Sequence, residues 1–294
     1  MNKPLSVVIF SKDRAAQLDL CLKSIYKNLG ILKEHLKIYI IYTASSEEFK
    51  KAYVKLTTEL YKQSPSVYFF PEEKFGGFQK TLNYCIKHWE DYVLFFTDDD
   101  IVYREFLDAD FDKIVSDMEN ENLICISMRL GTNTFVQDQY TNSYCLIPDN
   151  VILSSEKIRK WNWKEQPKHI NFAYPFSLDG TLFSSSTAKK IIDKTPGYHN
   201  PNSLEGKAFA CIKDYIDELP DSMGCFEKSC VINTPINRVQ ETCLNGAGKF
   251  FGNTPEELNE NFLKGKRLTL EGMDFSTIIG AHQELKLIWS EKCS

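Results

Sequence analysis

The chain has 294 residues, of which 43% are hydrophobic and 26% are charged, a composition that is ordinary for a soluble globular protein. Its 35 basic and 40 acidic side chains give a net charge of −5, which argues against a nucleic-acid partner bound by phosphate neutralisation. No stretch approaches about eighteen uncharged apolar residues, so the sequence predicts no membrane-spanning helix.

The first predicted element is a β-strand at Leu5–Phe10. Because an apolar run near the N-terminus can also be a signal peptide, its interpretation affects the expected compartment. Lys12, Asp13 and Arg14 end the apolar run and no small-residue cleavage site follows, so we interpret it as a strand and not as a signal peptide. The nine cysteines form no CxxC pairs, which favours reduced thiols over a disulfide framework or a zinc site. We therefore expect a cytoplasmic protein.

The first half of the chain alternates predicted strands with predicted helices. Apolar, β-branched or aromatic runs indicate strands at Leu5–Phe10, Leu36–Tyr42, Val67–Phe70, Tyr92–Phe96 and Leu123–Met128. Apolar stripes at helical spacing lie between them, from Leu18 to Leu29, Phe49 to Leu60 and Phe78 to Trp89. This alternation predicts βαβ crossovers and an α/β fold whose mostly parallel sheet is covered on both faces.

Two polar segments, Ser11–Arg14 and Asp98–Asp100, directly follow predicted strands. Ligands of parallel sheets bind outside the carboxyl ends of the strands. We therefore expect both segments to line one crevice.

The second half of the chain is less regular. Its predicted elements are a strand at Leu178–Ser184, helices at Thr187–Asp193 and Leu204–Ile212, a short strand at Val231–Asn233, a helix capped by Thr254 and Glu257, and a terminal helix at Ala281–Trp289. No repeat or linker marks a boundary. We expect a single domain with two halves (about 1–130 and about 131–250) and a C-terminal helical segment (about 251–294).

Three consecutive carboxylates, Asp98, Asp99 and Asp100, follow the apolar strand that ends at Phe96. Two carboxylates about 4 Å apart repel by roughly 4 kcal/mol at an effective dielectric near 20, so a positive partner is expected beside them. Alternate side chains of an extended segment share a side, which predicts that Asp98 and Asp100 converge on one cation while Asp99 faces elsewhere. Mg²⁺ or Mn²⁺ suits such carboxylates. The alternatives are a solvated acidic turn or a helix N-cap.

The same carboxylates formally fit the DxDx[TV] signature of haloacid-dehalogenase-type phosphatases through Asp98, Asp100 and Val102. The segment Leu178–Phe183, LDGTLF, also resembles the end of their DxDGTL motif. The nucleophilic aspartate of that motif would fall on Ser177, so the second match lacks the group that carries the chemistry.

Four segments carry a family resemblance: Ser6–Ile25, Phe95–Ile101, Leu178–Phe183 and Asn200–Phe209. Together they resemble a glycosyltransferase of the GT-A fold, close to glycosyltransferase family 2, across most of the chain up to about residue 240. The resemblance implies a Rossmann-like sheet flanked by helices, a nucleotide-diphospho-sugar donor, and a glycan or lipid-linked acceptor. It makes about 1–130 the nucleotide-sugar-binding half and about 131–250 the acceptor-binding and catalytic half.

The resemblance also implies roles for residues of the opening loop and of the acidic segment. In the family the opening loop holds the nucleoside, which here falls on Ser11, Asp13 and Arg14. The family's DxD motif matches the first and third carboxylates of the acidic segment. Asp98 would face the ribose, and Asp100 would ligate Mn²⁺ or Mg²⁺, which stabilises the charge of the leaving nucleoside diphosphate.

The intervening Asp99 is grouped with the residues expected to bind the nucleotide-sugar.

Glu205 is the candidate base. Family 2 enzymes carry an ED motif whose aspartate is the inverting base, but here Glu205 is followed by Gly206, which leaves an ordinary helix-surface glutamate and a retaining reaction as alternatives. Asp179, before Gly180, is expected to position the acceptor or to compensate for the missing aspartate; a simple turn aspartate is the alternative.

Three further side chains are candidates, and two histidines are not. Lys80 and Arg129 are expected to bind the donor, although Arg129 also suits a structural ion pair. Asn237 lies where GT-A enzymes often place a late metal or diphosphate ligand, so it is the third candidate for the metal. His199 and His282 lack metal-ligand spacing and are expected to be structural.

The sequence thus predicts a metal-dependent, hexosyltransferase-type enzyme that moves a sugar from a UDP- or GDP-linked donor to a glycan hydroxyl, with inversion, as in polysaccharide biosynthesis. A sugar nucleotidyltransferase would need a glycine-rich loop that FSKDRAA (Phe10–Ala16) lacks, and a non-catalytic binding protein of the same fold stays an alternative. The basic segment Lys264–Arg267 suits either a solvated helix end or peripheral contact with the inner face of a membrane.

Overall fold

The computed structural model describes residues 3–29, 36–61, 66–105, 111–141, 143–148, 152–153, 158–240 and 246–290. The strands are β1 (Leu5–Lys12), β2 (Leu36–Thr43), β3 (Val67–Pro71), β4 (Tyr92–Thr97), β5 (Asp100–Val102), β6 (Leu123–Ser127), β7 (Val136–Asp138), β8 (Ser143–Tyr144), β9 (Ile152–Leu153), β10 (Ile158–Asn162), β11 (Thr181–Ser184), β12 (Ser222–Phe226), β13 (Val231–Asn233), β14 (Arg267–Thr269) and β15 (Ile288–Ser290). The helices are α1 (Ala15–Asn28), α2 (Glu47–Tyr61), α3 (Glu72–Phe75), α4 (Phe78–Ile86), α5 (Phe111–Asn120), α6 (Ser185–Asp193), α7 (Pro201–Ile212) and α8 (Pro255–Leu263).

A central sheet of the described residues has the strand order β3-β2-β1-β4-β11-β6-β12-β10-β9. Pairing is parallel from β3 through β4, and only β11 and β10 run against the other strands. The expected α/β fold with a mostly parallel sheet and flanking helices is confirmed. Strands from both expected halves of the chain belong to this one sheet.

The sheet is buried on both faces, which explains why its strands are continuous apolar runs. Val7 and Ile9 of β1 pack into a cluster under α1 and α2, whereas Val8 and Phe10 pack into a second cluster under α4, α6 and α7. Alternate side chains of a strand point to opposite faces, so each face receives every second residue.

The strand expected at Leu178–Ser184 begins later, at Thr181, because a turn precedes it. Gly180 has φ of +54°, and a Cβ at this position would lie 2.8 Å from Cγ1 of Val231. Only glycine adopts this backbone without strain in this space. The turn displaces Asp179 from the strand toward the carboxyl end of β4, where Thr97 contacts it.

The predicted terminal helix at Ala281–Trp289 is wrong. The segment is extended, and its end forms β15, which pairs with β14. Its backbone groups pair with a neighbouring segment: Asn233 N donates to Ala281 O at 3.2 Å, and Gln283 N donates to Asn233 O at 2.9 Å. The apolar spacing that suggested a helix also fits an extended chain packed against the core, since Leu285 and Leu287 are buried there.

Helix α7 begins as its sequence indicates. Asn200 and Ser203 form a capping box and Pro201 occupies the first turn, so the helix starts three residues before the expected Leu204. Thr254 and Glu257 likewise cap α8, as expected. No helix among the described residues is long and apolar enough to cross a bilayer.

The basic segment after α8 packs against the protein. Arg267 donates to Glu59 at 2.7 Å and lies 4.1 Å from the centre of the Phe262 ring, while Lys264 pairs with Glu260. Two of its basic side chains are therefore engaged within the chain.

Candidate active site

A cleft of about 1280 Å³ opens at the carboxyl ends of β1, β2 and β4. It is lined by most of the residues that the sequence analysis selected: Ser11, Arg14, Asp98, Asp99, Arg129, Asp179, Glu205 and Asn237. Asp13, Lys80 and Asp100 do not line it. Both polar segments therefore contribute side chains to one crevice, as expected, although one residue of each segment does not line it.

Arg14 is the positive partner of the acidic segment. Its Nη1 donates to Asp98 Oδ1 at 3.1 Å and to Asp99 Oδ2 at 2.8 Å, and the residue is only 9% exposed. Its Nε donates to Asn237 Oδ1 at 2.7 Å, and Nη2 donates to the carbonyl oxygen of the same residue. One guanidinium thus connects the loop after β1 with the acidic turn and with the segment after β13.

The side chain of Asn237 bonds Arg14 and does not contact the carboxylates of the acidic turn. Its Oδ1 accepts from Arg14, and its Nδ2 donates to Gln17 Oε1 at 3.3 Å and to Asn253 O at 3.1 Å. In this arrangement the residue anchors Arg14.

Asp98 lies in the corner between β1 and the acidic turn. Its Oδ2 accepts from Ser11 Oγ at 2.8 Å and from Lys12 N at 3.1 Å, and Ser11 Oγ lies 2.6 Å from the hydroxyl of Tyr53. Burial raises the pKa of Asp98 to about 6, although Arg14 acts in the opposite direction. The carboxylate is therefore buried and accepts three hydrogen bonds, from Ser11, Lys12 and Arg14.

Asp100 differs from the expectation that it shares a side with Asp98. Its side chain is fully buried, and its oxygens accept from Thr97 N at 2.8 Å and Asn233 Nδ2 at 3.0 Å. Residues 98–99 form a turn and not an extended segment, so the alternation of side chains does not apply. Asp98 and Asp99 face the cleft together, Asp100 lies beneath them, and burial raises its pKa well above the ordinary value.

A polar network connects Asp99 with Asp179. Thr97 Oγ1 lies 2.9 Å from Asp99 Oδ1 and 3.0 Å from Asp179 Oδ1, and Arg129 Nη1 lies 3.4 Å from Asp179 Oδ2. Asn233 Nδ2 also donates to Asp99 Oδ1 at 2.9 Å. The turn before β11 and the acidic turn after β4 therefore share hydrogen-bond partners.

Glu205 reaches the cleft from α7. Its Oε1 accepts from Leu178 N at 2.7 Å, which joins the helix to the turn that carries Asp179. Burial raises the pKa of Glu205 to about 7, the Asp179 carboxylate adds to the rise, and Arg129 opposes it. A carboxylate of this pKa in a cleft is a candidate general base near neutral pH.

Two donor-binding candidates lie outside the cleft. Lys80 is exposed on α4, so its position does not fit the expected contact with a donor. Asp13 has φ of +57°, and its Oδ1 accepts from Ser45 N at 2.7 Å. It stabilises the turn between β1 and α1 and thereby the position of Arg14.

The sequence analysis missed two site residues, Asn233 and His282. Asn233 donates to both Asp99 and Asp100, and it ends the short strand β13. The signal that selected Asp98, a polar residue at a strand end, would also have selected Asn233. His282 lines the cleft but had no local signal, because its partners Asn233 and Arg129 are distant in sequence.

The model of glycosyl transferase family 2 matches residues 6–183, a span that exceeds half of the 294 residues. The chain belongs to glycosyltransferase family 2. Every cleft residue beyond position 183 in this family 2 glycosyltransferase, including Glu205 and His282, lies outside the matched span.

A curated relative is the bifunctional glycosyltransferase pgtA of Dictyostelium discoideum, which is 28% identical to the family 2 chain over 219 residues. The alignment covers 68% of this chain and 27% of pgtA. The chain therefore spans about a quarter of the length of the curated relative that it matches.

A solved structure of similar fold is S. aureus TarS 1–349 in complex with UDP, with a TM-score of 0.50 and 14% identity, covering 79% of this chain and 61% of TarS 1–349. The mannosyltransferase PcManGT of Pyrobaculum calidifontis, in complex with GDP-Man and Mn²⁺, has a TM-score of 0.40 and 13% identity, covering 71% of this glycosyltransferase and 53% of PcManGT. The GT-A fold expected from the sequence is confirmed.

The cleft residues of this glycosyltransferase fit a hard divalent cation. The described residues hold no group of three carboxylate, histidine or cysteine side chains arranged for a metal, but Mg²⁺-type sites commonly use one or two carboxylates plus substrate phosphates. The charged side chains that line the cleft are the carboxylates of Glu72, Asp98, Asp99, Asp138, Asp179 and Glu205 and the cationic groups of Lys12, Arg14, Arg129 and Arg238. Six carboxylates therefore face four cationic side chains there. The pair that faces the cleft is Asp98 and Asp99.

Proposed function

We propose that the chain transfers a sugar from a nucleotide-diphospho-sugar, UDP- or GDP-linked, to the hydroxyl of a glycan or lipid-linked glycan. Family membership supports the class of reaction. The observation that carries the proposal is the location of Glu205, a carboxylate with a pKa of about 7, in the same cleft as the acidic turn Asp98–Asp99.

The nucleotide end of the donor is assigned to the corner between β1 and the acidic turn. Ser11 and Asp98 are hydrogen-bonded to each other there, and Arg14 lies beside them with its charge directed at the carboxylates. Hydroxyl and carboxylate oxygens suit the ribose, and the buried guanidinium suits an oxygen of the diphosphate.

The reaction is proposed to depend on Mn²⁺ or Mg²⁺ held by Asp99 together with Asp98. When bound, such an ion supplies Lewis-acid stabilisation of the leaving nucleoside diphosphate. The excess of six carboxylates over four cationic side chains in the cleft supports a cation there, because a diphosphate alone would meet net negative charge.

Glu205 is proposed to accept the proton of the acceptor hydroxyl, which gives an inverting displacement at the anomeric carbon. With a pKa of about 7 it is ionised in roughly half of the molecules at neutral pH and is still basic enough to accept a proton. Asp179 lies between Glu205 and Arg129 in the network, so we assign it to orienting the acceptor side of the cleft. A cytoplasmic location with peripheral membrane contact belongs to the same proposal.

Donor hydrolysis tests this function. A transferase without its acceptor is expected to hydrolyse one of a panel of UDP- and GDP-sugars slowly in Mn²⁺ and to stop when chelator is added. A binding protein of the same fold would show a thermal shift with a donor but no released nucleotide. A nucleotidyltransferase would instead release pyrophosphate from a nucleoside triphosphate and a sugar phosphate. Either result would contradict the proposal.

A further inference from the structure

We propose that His282 is a positioning residue of the active site, whose imidazole holds the Arg129 guanidinium in the cleft so that it can bind an oxygen of the nucleotide-sugar. The segment 278–285, which lies outside the span matched by the family model, would then complete the site. This inference rests on the proposed function, because it takes the cleft to be the place where the nucleotide-sugar binds.

The hydrogen bonds of Asn233 determine which nitrogen of His282 carries the proton. Asn233 Nδ2 lies 2.9 Å from Asp99 Oδ1 and 3.0 Å from Asp100 Oδ1, so the amide nitrogen is directed at the two carboxyl groups. Its Oδ1 is therefore the atom that lies 3.1 Å from His282 Nδ1. Since an amide oxygen can only accept, Nδ1 must carry the hydrogen, and Nε2 of a neutral ring has a free lone pair.

That lone pair faces Arg129. The Nη1 of Arg129 contacts His282 Nε2, and the same nitrogen lies 3.4 Å from Asp179 Oδ2. Within the described part of the chain the guanidinium uses only Nη1 for hydrogen bonds, and its buried Nε has no partner. Two acceptors at one nitrogen orient the planar group. The N–H groups of Nε and Nη2 then stay available to a ligand, because Arg129 lines the cleft.

The surroundings keep the ring neutral. Burial, followed by the charge of Arg129, lowers the pKa of His282 to about 3, whereas Asp99 and Asp138 act in the opposite direction. Protonated Nε2 would direct an N–H at a guanidinium that is only 4% exposed. The neutral ring can therefore accept a hydrogen bond from Arg129 near neutral pH.

The backbone around His282 is attached to the walls of the cleft. Val136 N donates to Ile279 O at 2.9 Å, and Leu285 N donates to Thr234 Oγ1 at 2.7 Å. Together with the pairing of Ala281 and Gln283 to Asn233, these bonds hold the segment on both sides of the imidazole. The ring is thus carried by a backbone with little freedom to move.

Glu284 connects the same segment to Tyr140 and to the backbone of residues 249–251. Its carboxylate, 3% exposed, accepts from the backbone N–H groups of Lys249, Phe250 and Phe251 at 2.8–3.0 Å and from the Tyr140 hydroxyl at 2.8 Å. Tyr140 lines the cleft, so one short segment positions side chains on two of its walls.

Two substitutions of His282 test the contacts of its two ring nitrogens separately. In His282→Gln the amide oxygen can take the place of Nε2 and accept from Arg129, whereas in His282→Asn the shorter amide can reach only Asn233. We expect Gln to keep the affinity for UDP or GDP with MnCl₂, measured by titration calorimetry, within about three-fold of the unsubstituted protein, and Asn to lower it by about ten-fold or more. Gln283→Ala is the control, because among the described residues the Gln283 side chain bonds only Ile279 N and Thr277 O.

Melting temperatures of both variants show whether a loss is merely structural. Equal affinities for the Gln and Asn variants, or losses that follow their melting temperatures, would overturn the proposal.

The ring itself provides a readout that needs no nucleotide. ¹⁵N-edited spectra, assigned by the signal that His282→Gln removes, should show a neutral Nδ1–H tautomer that does not titrate between about pH 5 and 8. An Nε2–H tautomer or a titrating ring would overturn the contact with Arg129. If neither UDP nor GDP binds the unsubstituted protein, the proposed function fails, and the spectra still decide the His282–Arg129 contact.

Discussion

The guanidinium of Arg14 bridges the two carboxylates that face the cleft, with Nη1 2.8 Å from Asp99 Oδ2 and 3.1 Å from Asp98 Oδ1. The chain therefore supplies part of the positive charge that three consecutive aspartates at a strand end require. Asn237 holds the other side of the same guanidinium. Arg14 thus combines two tasks, neutralising the acidic turn and joining it to the segment after β13.

Removal of this guanidinium should destabilise the protein at neutral pH. Arg14→Met leaves Asp98 and Asp99 buried without their partner, which typically costs about 3–5 kcal/mol in the free energy of unfolding. The loss should shrink as the pH falls, because the pKa of Asp98, about 6 beside Arg14, rises further without the guanidinium, and protonation then removes the unpaired charge. Urea unfolding at neutral and mildly acidic pH measures both effects.

Arg159→Met is the matched control, since Arg159 pairs with Glu227 near the surface. A loss there of about 1 kcal/mol or less is expected. Equal losses for the two variants would mean that Arg14 contributes no more than a surface ion pair.

Exchange of carboxylate for amide at two neighbouring positions distinguishes the metal ligands. Asp99→Asn should weaken Mn²⁺-dependent binding of UDP or GDP by more than about ten-fold, because Asp99 faces the cleft and carries a charge that the amide lacks. Asp100→Asn should keep this binding within a few-fold, because the side chain lies beneath the turn and its amide oxygen can still accept from Thr97 N, although the bond from Asn233 is lost. Calorimetry with Mn²⁺ and with chelator measures the metal-dependent part. The opposite pattern would assign the metal to Asp100, as the DxD spacing suggested.

Neutralisation of Glu205 should lower turnover and leave nucleotide affinity nearly unchanged. Glu205→Gln removes the proposed base, for which losses of about 10²–10⁴ in rate are typical. In the unsubstituted enzyme the rate of donor hydrolysis should rise with pH through about 7, because the ionised carboxylate is the active form. A pH profile that is flat between about pH 6 and 8, or a near-normal rate for the Gln variant, would contradict the role of base.

The same pKa has a consequence for stability. Because the pKa of Glu205 is higher in the folded protein than in the unfolded chain, its contribution to stability falls as the pH rises from about 4.5 toward 7. Glu205→Gln should therefore be no less stable than the unsubstituted protein at pH above about 7. Glu260→Gln, on the exposed side of α8, is the control for both measurements.

The turn at Gly180 should not tolerate a side chain. In Gly180→Ala the Cβ would meet Val231 at 2.8 Å and the residue would keep a positive φ, so a loss of about 1–3 kcal/mol in unfolding free energy is expected. Gly206→Ala in α7 is the control, because no atom lies within 4 Å of its added Cβ and alanine favours a helix by about 0.5–1 kcal/mol over glycine. Chemical denaturation should therefore show a lower unfolding free energy for Gly180→Ala and a higher one for Gly206→Ala than for the unsubstituted protein.

Much of the site could be derived from local patterns. The apolar runs of β1 and β4 predicted buried parallel strands. The polar residues that follow these runs, Ser11 and Asp98, were expected in one crevice, and Ser11 Oγ lies 2.8 Å from Asp98 Oδ2. The orientation of Asp100 could not be derived in this way. It depends on whether residues 98–99 continue as a strand or turn, and the contacts with Thr97 and Asn233 decide that.

By itself the sequence determined the α/β alternation, the capped starts of α7 and α8, and the strand ends that carry polar side chains, because these depend on periodicity and on neighbours a few positions away. Only the tertiary structure decided that Arg14 pairs with Asn237 and that His282 contacts Arg129, since each contact joins residues more than a hundred positions apart. Local propensity contains no information about such pairs. They form because burial in the cleft leaves charged and polar groups no water to bond, so each takes the partner that the packed chain brings within reach.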